Sequence, residues 1–186
     1  MTLDLRDDSD TFALDVSEWV NSDPIAPESL RGRVVVVEAF QMLCPGCVSH
    51  GLPLAQRIHR TFDSRDVAVI GLHTVFEHHS VMGRDALAVF LSEYRIDFPV
   101  AIDRPIHGQA IPATMQRYGL RGTPSMVIVD RQGAVRRIAF GAVDELAIGA
   151  LIGGLLAEGA HEVAADAASP TAANGASCTL DGTCAA

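Results

Sequence analysis

The sequence predicts an α/β domain built on a central mixed β-sheet with helices on both faces. Two patterns point there. Short β-branched runs alternate with stretches of helical apolar spacing, and two late strand-like runs flank a tight turn. Strand-helix-strand crossovers make parallel neighbours, whereas a hairpin is antiparallel by construction, so the sheet has to be mixed.

Residues 33–40, RVVVVEAF, have the length and β-branched content of a buried strand and stop just before the first cysteine. Beyond Cys44, the apolar residues Val48, Leu52, Ala55, Ile58 and Phe62 recur at helical spacing over roughly five turns, with Gly51 and Pro53 predicting a kink. Residues 67–72 read as a second buried strand and 86–94 as an amphipathic helix, separated by the His-rich stretch HTVFEHHSVMG. A short strand over 98–102 leads through the turn-rich DRPIHGQAIP to a helix over 113–118 that Gly119 closes. Residues 125–130 and 134–140 flank RQG as a hairpin, and a last helix spans 143–158. The domain is therefore expected over 1–158, with 1–32 as an N-terminal extension packed on it. From 159 to 186 the composition falls to small residues, which predicts a flexible tail.

With 48% hydrophobic and 20% charged residues, the chain can bury enough apolar surface to fold. A net charge of -9 with no basic cluster argues against nucleic acid and anionic membranes as partners. All 14 basic residues are Arg, which excludes any mechanism needing a Lys amine, including Schiff-base and P-loop chemistry. The opening MTLDLRDDSD lacks the basic and apolar regions of an export signal, and no apolar run approaches the ~18 residues of a spanning helix. The expectation is a cytoplasmic protein, where four cysteines point to redox or metal chemistry more than to structural staples.

Cys44-Pro45-Gly46-Cys47 sits where a strand hands over to a helix. A helix N-terminus carries unpaired amide N–H groups and the positive end of the macrodipole, which favour a thiolate on the first cysteine. Thiols in such motifs can ionise between about 3.5 and 7.5, so the nucleophile is populated at neutral pH. Cys44 would attack a substrate disulfide, and Cys47, one turn inward, would resolve the mixed disulfide. The competing readings are half of a zinc site, which lacks a second ligand pair of the usual spacing, or two inert core thiols.

At this point the chain resembles the thioredoxin-like superfamily, specifically the redoxin and TlpA-like thiol-disulfide oxidoreductases related to peroxiredoxins. The resemblance covers roughly 34–156. It rests on the strand VVVVEAF, the CPGC motif at a helix start, the RGTPS segment before a strand, and the hairpin VIVDRQGAVRRIAF. It implies a thioredoxin-like fold and a cis bond between Thr123 and Pro124, with both residues shaping a substrate groove alongside Leu43 and Pro45. A cis X-Pro turn also leaves the preceding backbone free to pair with an extended substrate segment. Glu38, six residues before Cys44, matches the buried acid of that family; strand alternation puts it on one face with Val36 and Phe40. Burial there would raise its pKa and let it exchange a proton with Cys47, the alternative being a carboxylate satisfied at the strand edge.

Leu43 replaces the usual Trp before the first cysteine, which leaves a smaller apolar rim. Peroxiredoxin-like reduction of hydroperoxides by Cys44 is the second reading, but that family's hydroxyl residue three positions earlier is here Gln41. A soft-metal-binding thiol module is the third.

In the tail, Cys178 and Cys184 bracket TLDGT, a loop that can face them across a hairpin and relay electrons from a flexible tether. A plain hairpin disulfide, idle thiols or a metal loop compete with that relay. Among the seven histidines, His50 and His73 could border the active site, whereas the adjacent His78 and His79 beside Glu77 are poorly placed to share one ion. Arg121 faces either the thiolate or a surface partner. The expected partners are protein or small-molecule disulfides and an electron-donating thiol system, with no cofactor or metal required.

Overall fold

Seven consecutive buried residues make Val34–Phe40 (β2) the centre of the sheet, and their alternation decides what lies on each side. Val34, Val36 and Phe40 face one core, and Val35, Val37 and Ala39 the other. In this computed structural model, which describes residues 12–167, β2 pairs in parallel with Val67–His73 (β3). β3 pairs in parallel with Val100–Asp103 (β4). On its other edge β2 meets Ser125–Val129 (β5) antiparallel, and β5 continues into Val135–Phe140 (β6) around the expected turn. Leu52–Thr61 (α1), Arg84–Glu93 (α2) and Glu145–Ala167 (α4) supply Leu52, Ile58, Leu87, Leu91, Ile148 and Ile152 to the first core. The second core is closed by Ala113–Arg117 (α3), through Met115, and by Phe12 and Leu30 of the N-terminal segment. Helices cover both faces, as expected, though one face takes three of them.

Three details differ from the sequence reading. The extension before residue 33 contributes an edge strand, Val16–Val20 (β1 at the end of the order β1-β4-β3-β2-β5-β6), antiparallel to β4. Its burial alternates poorly, which is why no strand pattern stands out in the sequence. The last helix runs to Ala167 rather than ending at residue 158. The stretch AHEVAADA is rich in strong helix formers and propagates the helix into the expected tail. The kink expected near Gly51 and Pro53 takes the form of a π turn at Cys47–Gly51, with Leu52 N–H bonded to the Cys47 carbonyl five residues back. Pro53 has no N–H, and its ring crowds the carbonyl four residues earlier, so the widened turn relieves a clash that an α-turn would impose.

Among the described residues no helix is long and apolar enough to cross a membrane. The relay pair Cys178 and Cys184 lies outside the described residues.

Candidate active site

The C-terminal end of β2 delivers the chain through Gln41, Met42 and Leu43 to Cys44, and helical backbone begins at Pro45. Gln41 braces this turn. Its carbonyl accepts the Cys44 N–H at 3.2 Å, its side-chain oxygen accepts the Phe76 N–H at 3.2 Å, and its amide donates to Glu77. Cys44 is partly exposed and Cys47 is fully buried, both as free thiols. The Cys44 Sγ accepts the Cys47 N–H at 3.2 Å and lies 3.4 Å from the Thr123 carbonyl, to which the thiol donates. An amide donor at the helix start therefore points at the outer sulfur, the geometry that stabilises negative charge on it.

The Thr123–Pro124 peptide is cis. Pro124 is buried against the active-site turn, close enough that a Cβ on Gly46 would stand 3.2 Å from its Cδ. Its carbonyl accepts the Gly141 N–H at 2.9 Å, which ties the loop to the end of β6. Phe140 at that end is 51% exposed, packs on Gly122, and carries the Arg121 guanidinium 5.5 Å over its ring. Leu43, next to Cys44 in the chain, is 59% exposed. Cys44 is thus flanked in the chain by the exposed Leu43 and Pro45 and faces the Thr123 carbonyl, with the exposed Phe140 packed on the same loop at Gly122.

Beneath the turn, Glu38 is 1% exposed and its Oε1 has no hydrogen-bond partner. Burial pushes its carboxyl well above the usual carboxylate range, and negative charge on Cys44 pushes it further. Desolvation likewise drives the Cys47 thiol up to about 12, with the bond to Cys44 and the charge there adding to it, against smaller opposing effects of Thr123 and Gln41. The inner thiol therefore holds its proton while Cys44 carries charge, and it needs a nearby base to become a nucleophile. Gly51 permits the stacking of helix on acid, because a Cβ there would overlap the Glu38 Oε1 and come within 2.9 Å of the Pro124 Cβ.

The histidines separate. His50 is exposed within the π turn, with Nδ1 against the Ser49 hydroxyl at 2.6 Å. His73 is 1% exposed with Nε2 unpartnered, tilted against Phe40 at 5.4 Å, and burial lowers its pKa to about 4. His78 and His79 are exposed, and among the described residues no group of three His, Cys, Asp or Glu side chains is placed to hold a metal ion.

Sequence reading passed over Phe140 and the brace at Gln41. It also missed a buried network in which Asp103 accepts the Thr114 N–H at 2.7 Å, the Met115 N–H at 2.9 Å and the Thr74 hydroxyl at 2.9 Å. These contacts span long separations and leave no local pattern in the chain.

No family model matches the chain. It is similar to a solved thiol-disulfide isomerase from Corynebacterium glutamicum at 57% identity, over 80% of this chain and 96% of that one, with a TM-score of 0.78. A solved thioredoxin-like superfamily protein shares 52% identity over 77% of this chain and 93% of that one, with a TM-score of 0.75. The protein DipZ of Mycobacterium bovis is 29% identical over 133 residues, which are 69% of this chain but 18% of DipZ. The chain thus matches less than a fifth of that relative.

Proposed function

Because the chain belongs to the thioredoxin-like thiol-disulfide oxidoreductases, we propose that it exchanges disulfides through Cys44 and Cys47, with Glu38 as the proton partner of the inner thiol. One observation carries the reading. A partly exposed sulfur receives an amide hydrogen bond at a helix start, with its mate buried three residues on, beside Pro124.

The Cys44 thiolate attacks one sulfur of a substrate disulfide; a bond forms to Cys44, the substrate S–S bond breaks, and the departing thiolate takes a proton from water. Capture in a mixed disulfide removes the charge on Cys44 that had been raising the pKa of both Glu38 and Cys47. Loss of that charge favours ionisation of Glu38, whose carboxylate takes the Cys47 proton; Cys47 then attacks the Cys44 sulfur, and the second substrate thiolate leaves. Two electrons pass from the protein to the substrate, and the protein ends as the Cys44–Cys47 disulfide. An electron-donating thiol runs the steps backwards. Leu43, Pro45 and Thr123 line the approach, and the Thr123 backbone offers an extended substrate segment a pairing edge.

The peroxidase reading gains no support from Gln41, whose side chain is committed to Phe76 and Glu77 where a hydroxyl would be wanted. The tail dithiol Cys178 and Cys184 enters the proposal as the relay that reloads the site.

Insulin reduction and peroxide consumption by the wild type, Cys44→Ser and Cys47→Ser test this. Cys44→Ser should lose disulfide reduction, and Cys47→Ser should accumulate a mixed disulfide on Cys44. Peroxide turnover without disulfide reduction would overturn the assignment. Mass mapping of the trapped Cys47→Ser species reads the relay directly: a Cys44 link to Cys178 or Cys184 supports it, and complete lack of such a link removes it. A midpoint measured against glutathione fixes the direction of electron flow.

A further inference from the structure

Glu38 is enclosed by its own strand, the π turn and the cis-proline loop, so a proton it receives from Cys47 needs a way out. Beside it lies a cavity of about 30 Å³ bounded by Glu38, His50, Gly51, Met126, Val143 and Glu145. A single water needs roughly 10–15 Å³ of such volume and two to four polar partners. The cavity has room for one, and its lining includes Glu38, whose Oε1 is unpartnered, with the exposed His50 and Glu145.

The hydrogen bonds of Ser49 favour one tautomer of His50. The Ser49 hydroxyl donates its single proton to the Pro45 carbonyl at 2.8 Å, so toward His50 Nδ1, at 2.6 Å, it can only accept. With Ser49 so engaged, Nδ1 keeps the hydrogen of the neutral ring and Nε2 is the nitrogen left to exchange protons. Imidazole is the side chain suited to pass protons near neutral pH. The other titratable groups near Glu38 are Cys44, whose charge acts on it, and Glu145 of α4 on the cavity wall, which is itself paired with Arg57 of α1 and so already engaged.

We propose that His50 is the proton outlet of the active site, exchanging protons between Glu38 and solvent through water in this cavity, with Ser49 holding its Nε2 as the working nitrogen. This rests on the reading of Glu38 as proton partner of Cys47. During resolution the Cys47 proton moves to the Glu38 carboxylate. The carboxylic acid then gives that proton to the cavity water as the water gives another to His50 Nε2, and His50 releases it to solvent. In the reverse direction the same chain delivers a proton to the departing Cys47 thiolate. Charge balances at each hop.

The test uses the full chain with Cys178→Ser and Cys184→Ser in every sample, so that only the active-site pair reports. Reaction with excess-free dithiobis(nitrobenzoate) releases one coloured thiolate when Cys44 attacks and a second when Cys47 resolves. His50→Gln should leave the first release unchanged and slow the second about tenfold at neutral pH, less than the ~100-fold that loss of a general acid-base group commonly costs. Added imidazole should restore the second release, and Ser49→Ala should slow it to a smaller extent. An unchanged second release in His50→Gln, or a slowed one that imidazole does not rescue, would overturn the outlet. Glu38→Gln separates the two levels. If it slows the second release while His50→Gln does not, only the outlet falls; if Glu38→Gln has no effect, the proton role of Glu38 falls with it.

Discussion

Replacing Gly51 with alanine sets two known energies against each other at the centre of the site. In an ordinary helix interior the substitution gains about 1 kcal/mol of helix propensity. Here the new Cβ would overlap the Glu38 Oε1 and stand 2.9 Å from the Pro124 Cβ and 3.0 Å from the Glu38 Cδ. The Pro124 ring is buried and rigid, and Glu38, 1% exposed on the central strand, can give way only by turning its carboxyl. Overpacking of this kind costs about 1–3 kcal/mol, and simultaneous contact with the buried Pro124 ring and the Glu38 carboxyl places Gly51→Ala near the upper figure. The net expectation is a loss of about 2 kcal/mol, which lowers the melting temperature by roughly 4–8 °C in a chain of this size. Urea and thermal unfolding of the reduced protein measure it. A double-mutant cycle locates the cause. In a Glu38→Ala background only the Pro124 contact remains, so Gly51→Ala should cost about 1 kcal/mol less there. If Gly51→Ala stabilised the protein, or cost the same with Glu38 truncated, the close stacking of the π turn on the acid would not be what requires glycine.

Three further expectations follow from individual side chains. His73 stays neutral in the fold down to about pH 4, whereas in the unfolded chain it takes up a proton below about 6.5, so its contribution to stability is lost as pH falls through that window. The full loss is about 3 kcal/mol; because the raised pKa of Glu38 acts in the opposite direction there, it should be read as the difference in urea stability between wild type and His73→Phe across pH 7 to 4. Asp103→Ala orphans the Thr114 and Met115 amides at the start of α3, at about 1–3 kcal/mol each when buried. A drop of roughly 2–4 kcal/mol by denaturant titration is expected, and a change under 1 kcal/mol would show that the amides find other partners. Leu43→Ser removes an exposed apolar contact worth about 1 kcal/mol in a docked complex, so KM for insulin should rise about fivefold with kcat and melting temperature little changed. An unchanged KM would take Leu43 out of the substrate surface.

Much of the site was legible before any coordinates because its chemistry is local. A thiol at the junction of strand and helix, a partner one turn on, and an acid on the inward face of a period-two strand are all set by spacing that the chain carries in eight or ten consecutive residues. The strand-helix order and the RQG hairpin were legible for the same reason. Edge strand β1 was not, since its pairing with β4 is fixed by a partner some eighty residues away rather than by its own pattern. The end of the last helix was also misplaced, because a small-residue composition describes a tether and an alanine-rich helix equally well.

What the amino-acid order determined by itself is which groups are available to the site: two thiols, an acid and a proline in a recognisable sequence of elements. Only the tertiary structure decided how those groups are poised. The burial that lifts Glu38 and Cys47, the absence of a partner for the Glu38 Oε1, the contact that reserves position 51 for glycine, and the meeting of Phe140 with the cis-proline loop all arise where separate segments converge. Desolvation and steric contact depend on every neighbour at once, so they are properties of the packed molecule that no stretch of the chain carries alone.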